Sequence, residues 1–179
     1  MKSPAEKEKC VLISIQPEWC DLISRGEKTV EVRKSMPSLK PPFRCYIYCS
    51  APGTTDANRI LESHGRDGKI RKVNGNVMGE FVCDSIMKIN RMGAATSWTL
   101  WPVNSVSLEE HYPADDAIEE SCLSDEELQD YLDANSGYIW HISDLDLYEI
   151  PKPINEFKKY NAGWKLDRPP QSWFYVDKL

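Results

Sequence analysis

Lys28, Thr29, Glu31 and Arg33 lie within one short stretch, "GEKTVEVRK" at residues 26–34, and their types define a small chemical repertoire. A carboxylate acceptor, a planar guanidinium fork and an ammonium together can pair with the edge of a base or grip a phosphate. If residues 29–33 form a strand, Val30 and Val32 point to one face and Thr29, Glu31 and Arg33 to the other, because side chains alternate along extended backbone. One face then joins a core, and the polar row lines whatever lies opposite. Lys28 precedes the strand at a turn, where alternation does not bind it, so it can swing toward that row. Taken alone, the residues favour a plainer reading, a solvated strand whose Glu31 and Arg33 form a weak surface ion pair.

The elements that must position this row follow from periodicity. "VLISIQ" (11–16) places Val11, Ile13 and Ile15 on one face and Leu12, Ser14 and Gln16 on the other, a half-buried strand. Pro17 opens a helix whose Trp19, Leu22 and Ile23 share a stripe, and Gly26 ends it in the left-handed conformation. "FRCYIYCSA" (43–51) is dense in β-formers and reads as a central strand; "VMGEFVCDSIMKI" (77–89) reads as one long strand, with Gly79 marking a bulge or a close backbone approach. The Gly-rich, polar stretch 52–76 is expected to be a mobile insertion, and "RMGAATSWTLWPVNS" an irregular segment. Ser107 with Glu110 and Ser124 with Glu127 fit the capping box, so two helices are predicted, with Pro113 separating the helical pieces. "YIWHISDLDLYEI" (138–150) returns to strand alternation, "PKPINEFKKY" is a connector, and "RPPQSWFYVDKL" ends in an aromatic strand. Strands mixed with short helices, outside regular βαβ order, predict an α+β fold on a curled or closed sheet.

With 179 residues, the chain has the length of one domain, expected over 1–179 with insertions near 52–76 and 91–106. Hydrophobic residues at 41% and charged residues at 28% are the balance of an ordinary soluble globular protein, so disorder is not the expected state. A net charge of −6 argues against a polyanionic partner, but the average conceals a division. Residues 1–100 hold 16 Lys and Arg against 11 Asp and Glu, and residues 101–179 hold 6 against 17. Within 109–133 there are 11 acids and no Lys or Arg, a surface that serves solubility, while the first half is free to present a positive face. No apolar run approaches the roughly 20 residues of a membrane span, and the N-terminus is polar, so a cytoplasmic protein without a membrane partner is expected. The six cysteines are scattered and several sit in apolar runs, which predicts buried free thiols. His64, His111 and His141 are far apart and Cys45 and Cys49 lack zinc-knuckle spacing, so no metal and no cofactor is expected; phosphate-binding loops and nucleophile elbows are absent as well.

Among the aromatic residues, Trp98, Trp101, Trp173 and Tyr175 are of the kind that stacks on exposed bases, although such rings are more often core. Trp98 and Trp101 are lid candidates, and Gln171 and Ser172 can reach a cleft rim. Ser14 and Gln16, on the polar side of the first strand, are counted with them as candidate ligand contacts.

"SIQPEWCDLISRGEKTVEVRK" resembles the opening of an activating-signal-cointegrator homology (ASCH) domain, with Gly26, Lys28, Glu31 and Arg33 at the positions of its Gly-x-Lys-x-x-Glu-x-Arg motif. "CYIYCSAP", "VMGEFVCDSI" and "RPPQSWFYV" resemble bacterial and phage members, so the likeness runs in patches from about residue 11 to residue 176 and leaves 52–76 and 91–106 outside the short family core. The resemblance implies a PUA-like β-barrel with short helices at its rim, binding RNA or a modified nucleotide in a cleft beside the motif. It also carries an alternative, since some small members are amidohydrolases acting on acetylated cytidine with a Lys, a Thr and a Glu. Here Glu31 stands three residues after Lys28, where those enzymes place the Thr, and Thr29 is out of register with that role. If the chain is an enzyme, Lys28, Thr29 and Glu31 are the residues implied; a third reading is a protein interaction module built on the acidic helices.

Overall fold

The computed structural model of the chain describes residues 8–51, 60–91, 97–103, 111–133 and 136–179. In chain order its first elements are β1 (Lys9–Ile15), α1 (Pro17–Ser24), β2 (Val30–Arg33), β3 (Phe43–Cys49), β4 (Glu62–His64), β5 (Ile70–Lys72), β6 (Asn76–Cys83) and β7 (Ile86–Arg91). There follow β8 (Trp98–Pro102), β9 (Tyr112–Pro113), α2 (Asp115–Ser121), α3 (Asp125–Tyr131), β10 (Ser136–His141), β11 (Ser143–Pro153), a 3-10 turn (Ile154–Glu156) and β12 (Trp173–Asp177). The chain divides into two compact units, Met1–Ser24 with Phe43–Val82 and Asp144–Leu179, and Arg25–Pro42 with Cys83–Ser143.

The first unit is built on a five-stranded sheet in the order β11-β6-β3-β1-β12, with β4 and β5 forming a separate hairpin. β3 lies at its centre and is buried at every position except Arg44, as its run of β-formers predicts. β1 runs parallel to β3, Val11 opposite Cys45 and Ile15 opposite Cys49, and antiparallel to β12, Lys9 opposite Asp177 and Ile13 opposite Trp173. The first and last strands thus pair directly. One core cluster gathers Leu12, Tyr46, Val77, Phe157, Leu166 and Val176, with the Tyr46 and Phe157 rings edge to face at 5.0 Å. Gly79 in β6 is a close-approach glycine: a Cβ there would stand 2.4 Å from the Asp146 carbonyl oxygen and 3.1 Å from the Leu147 Cα. The 52–76 stretch, expected as a mobile insertion, instead holds the β4–β5 hairpin and the buried pair Val73 and Asn74, whose side chain accepts the Leu61 N–H; residues 52–59 lie outside the described residues.

The second unit carries the sheet β2-β10-β7-β8-β9, and α2 and α3 cover one of its faces. Val30, Val32, Ile89 and Ile139 meet Ala117, Leu128 and Leu132 of the helical segment in a single cluster. α3 starts on the predicted capping box, Ser124 accepting from the Glu127 N–H while Glu127 accepts from the Ser124 N–H. The predicted Ser107 box lies outside the described residues.

Two expectations change. The segment expected to be irregular contains β8, paired with β7. The runs 77–89 and 138–150 each hold two strands belonging to different sheets, β6 with β7 and β10 with β11, broken at Asp84–Ser85 and at Ile142. No closed barrel is detected among the described residues: each five-stranded sheet ends in outer strands, β11 and β12 or β2 and β9, and the architecture is mixed α+β, mostly sheet with few helices.

Candidate functional site

The turn before β2 docks on the C-terminal end of α2. Gly26 adopts φ +73, the left-handed value its position predicts, and Thr29 donates its N–H to the Glu120 carbonyl at 3.1 Å. Lys28 is 2% exposed, and its Nζ donates to the Ser121 carbonyl oxygen at 2.6 Å. α2 has no basic residue in its last turn and ends with Cys122 in the left-handed region, so Lys28 supplies from outside the cation that complements the helix C-terminus. Nζ also lies 3.5 Å from Glu31 Oε2, while the other carboxylate oxygen, Oε1, lies 2.9 Å from an Arg33 terminal nitrogen. Glu31 therefore sits between two cations. All three side chains are buried, with Glu31 and Arg33 each 6% exposed, so the solvated-strand reading fails. Burial of an ion is costly without a counter-charge, and the shared carboxylate supplies one to both cations.

The strand register then extends the row. On β2, Val30 and Val32 face the helical core, so Glu31 and Arg33 occupy the opposite face. Directly opposite residues of an antiparallel pair share a face. Arg33 pairs with Tyr138, Tyr138 with Lys88, and Lys88 with Trp101, so one line crosses β2, β10, β7 and β8 as cation, aromatic, cation, aromatic. Glu31 begins a parallel line through Trp140 to Ile86. Exposure rises along the first line, from buried Arg33 through half-buried Tyr138 to exposed Lys88, with Trp101 half-buried at the far end. Trp101 donates its indole N–H to the Thr99 hydroxyl at 2.9 Å and stacks on His111 at 5.0 Å between centroids. Sequence reading passed over Tyr138, Lys88 and Ser121. The only signal was strand alternation in β7 and β10, which sorts faces without saying which residues stand opposite.

The other expected site residues divide between the units. Ser14, Gln16, Gln171 and Ser172 belong to the first, where Ser14 donates its hydroxyl to the Pro170 carbonyl at 2.7 Å and its N–H to the Ser172 carbonyl at 2.9 Å. Gln16 and Gln171 are exposed. Thr29 is half-buried, and its carbonyl accepts the Ile142 N–H at 2.9 Å. Trp98, expected as a lid, is a core residue: it is 3% exposed, packs in the helical cluster and donates its indole N–H to Asp125 at 2.7 Å. Its place in β8 alternates with Trp101, so the two rings cannot serve one face. Near the break after β6, His141 Nδ1 lies 2.7 Å from Asp84 Oδ1. Burial alone would raise the Asp84 pKa, but the hydrogen bond and charge of His141 outweigh it and hold the carboxyl below its ordinary value. All six cysteines are free, five of them buried and Cys122 half-buried. Among the described residues no three His, Cys, Asp or Glu side chains converge to hold a metal ion, and no helix is long and apolar enough to cross a membrane.

Two five-stranded sheets with few helices, and a buried Lys–Glu–Arg cluster on the strand that follows a helix and turn, define a mixed α+β fold with a motif-bearing sheet face. The ASCH domain model matches residues 13–136, and the chain belongs to the ASCH family, one generally linked to RNA binding. The crystal structure of ASCH from Zymomonas mobilis is similar in fold, with a TM-score of 0.59 at 21% identity over 97% of this chain and 90% of that one. A crystal structure of a point mutant of that protein gives a TM-score of 0.58 at 20% identity over 98% of this chain and 92% of that one. A second mutant gives 0.56 at 18% identity over 94% and 90%. No curated protein matches the chain.

Proposed function

We propose that this protein binds RNA or a modified nucleotide on the sheet face that carries Glu31 and Arg33. The observation that carries the reading is the line Arg33, Tyr138, Lys88, Trp101 across four strands. Neighbouring strands stand about 4.8 Å apart, so cations and rings alternate at spacings suited to phosphates and stacked bases. Exposed Lys88 meets the phosphate, the half-buried rings of Tyr138 and Trp101 take the base, and the Arg33 fork reads the inner edge. Lys28 and Glu31 are positioning residues in this scheme: Lys28 ties the motif to α2, and Glu31 holds the guanidinium.

Hydrolysis of a modified nucleoside is less well supported by the same geometry. It asks Lys28 to activate a nucleophile, whereas its Nζ donates to the Ser121 carbonyl and lies 3.5 Å from the Glu31 carboxylate, so it is already engaged by two acceptors. A binding site loses little on Thr29→Ala, while a catalytic one that uses the hydroxyl loses turnover of acetylated cytidine.

Fluorescence anisotropy with a labelled single-stranded RNA tests the proposal. Tyr138→Ala and Trp101→Ala are expected to weaken binding by about 1–3 kcal/mol each, the range for one stacked base. Lys88→Ala should reduce the slope of log affinity against log salt by about 0.7, the value for one phosphate of a single strand. Lys40→Ala, an exposed cation of the same unit outside the row, should leave both quantities unchanged. Four variants with equal losses would show diffuse electrostatics and remove the row from the mechanism.

A further inference from the structure

The six Lys and Arg residues of the second half of the chain all fall after residue 151. Residues 101–151 contain 14 Asp and Glu and no Lys or Arg, whereas 152–179 contain six basic residues against three acids. Three of the six, Lys158, Lys159 and Lys165, sit on one small hairpin of the first unit. Its base is fixed by Phe157 and Leu166, both buried in the core and joined by the Leu166 N–H to the Phe157 carbonyl at 2.9 Å. Lys158 pairs with Lys165, and the turn closes through Asn161 and Gly163, both at positive φ. The hairpin also lies along β12, with Tyr160 donating to the Tyr175 carbonyl at 3.1 Å and Asp177 to the Lys158 carbonyl at 3.0 Å. The loop is therefore tied down on two sides.

What it presents is unusual for a solubility surface. Trp164 is 60% exposed, flanked by exposed Lys159 and Lys165, and the Lys159 ammonium lies 5.8 Å from the Trp164 ring centroid. Beside it Lys9 holds its ammonium 3.7 Å from the Tyr175 centroid and 5.2 Å from that of Tyr160, and Tyr175 meets Trp173 edge to face at 5.5 Å. A rigid hairpin with an exposed indole between lysines, next to a second group of rings under a lysine, matches the chemistry of a flexible polyanion with planar faces. An acidic peptide would use the cations and leave the indole without a stacking partner.

We propose that the hairpin 157–166, with Lys9 and Tyr175, is a second contact surface for single-stranded nucleic acid, stacking a base on Trp164 and pairing phosphates with Lys158, Lys159 and Lys165. Every residue in it belongs to the first unit, so it does not rest on the row around Arg33.

The test is anisotropy titration of a labelled twelve-nucleotide oligouridylate against the full chain and its variants. Trp164→Ala is expected to weaken binding about tenfold, the fold-change of one lost stack, with Trp164→Phe restoring most of it. Lys159→Ala with Lys165→Ala should lower the salt slope by about 1.4, two phosphates on a single strand. Unchanged thermal melting of the Trp164 variants would place the loss in the contact, as expected for an exposed side chain; a lowered melting point accompanied by equal loss in Trp164→Phe would overturn the proposal. So would unaltered binding by Trp164→Ala, an equal loss for heparin, or a poly-glutamate peptide that competes as well as the oligonucleotide. If Tyr138→Ala abolishes binding and Trp164→Ala does not, this surface is refuted and the row around Arg33 stands.

Discussion

Glu31 is the residue on which the motif turns, because a single buried carboxylate faces both Lys28 and Arg33. Glu31→Ala leaves two buried cations without their counter-charge, and the expected loss is about 3–5 kcal/mol, the range for breaking a buried pair from one side. Urea unfolding measures it, and a change below about 1 kcal/mol, the level of a surface pair, would refute the buried cluster. The thiols make a second prediction. Burial, reinforced by Asp84, pushes the Cys83 pKa from 9.0 to about 12, and burial with Glu8 nearby pushes that of Cys10 to about 11. A folded-state pKa above the unfolded value means stability that is fully present below pH 9 and lost as pH rises through the folded values. Alkaline unfolding is therefore expected to sharpen between pH 9 and about 12 and to shift upward in Cys83→Ala. At pH 8 iodoacetamide should label half-buried Cys122 before either of these thiols, as mass spectrometry of the native protein would show.

β6 passes close to β11 because Gly79 has no side chain. The two nearest atoms a Cβ would meet are backbone, the Asp146 carbonyl at 2.4 Å and the Leu147 Cα at 3.1 Å, so Gly79→Ala cannot be relieved by a rotamer change. The expected cost is about 1–3 kcal/mol, as for other overpacked sites, read from the shift of the denaturation midpoint. A midpoint equal to that of the unsubstituted protein would mean that the strands separate freely there. Helix α2 shows the complementary case of an element completed by a distant residue: its C-terminal carbonyls are met by Lys28 and Thr29, about ninety residues earlier in the chain. The helix and the motif strand thus stabilise each other, and the rigidity of Glu31 and Arg33 is partly a property of α2.

The charge of the molecule is distributed unevenly. The second unit holds 7 Lys and Arg against 14 Asp and Glu, for −7, and the first holds 15 against 14, for +1, which together make the net −6. The unit with the motif is thus the acidic one, with the acids concentrated on α2 and α3. Those helices cover the face of the sheet opposite to Arg33 and Lys88, so the positive row acts against a negative background. Replacing exposed Glu119, Glu126 and Asp130 by their amides is expected to speed RNA association several-fold at low salt, with the gain gone at 1 M, where the screening length is about 3 Å. Stopped-flow mixing tests this. No change at low salt would mean that the acidic helices do not steer the ligand, and would favour the reading in which they bind a protein partner.

Local signals determined a good part of this protein. Pro17 and Gly26 bound α1, Ser124 and Glu127 cap α3, the β-formers of 43–49 make the central strand, and Gly79 marks a close approach, because each depends on residues a few positions apart or on one backbone conformation. The alternation of Val30 and Val32 with Glu31 and Arg33 likewise separates the core face of β2 from its polar row. Tertiary structure alone decided which strands meet. It divided two apparent strands between different sheets, turned the segment around Trp98 into β8 and placed that indole in the core. It also set Tyr138 beside Arg33 and Lys88 beside Trp101. These outcomes rest on register between segments far apart in the chain, and a shift of one residue in register would turn every side chain to the other face without altering any local pattern.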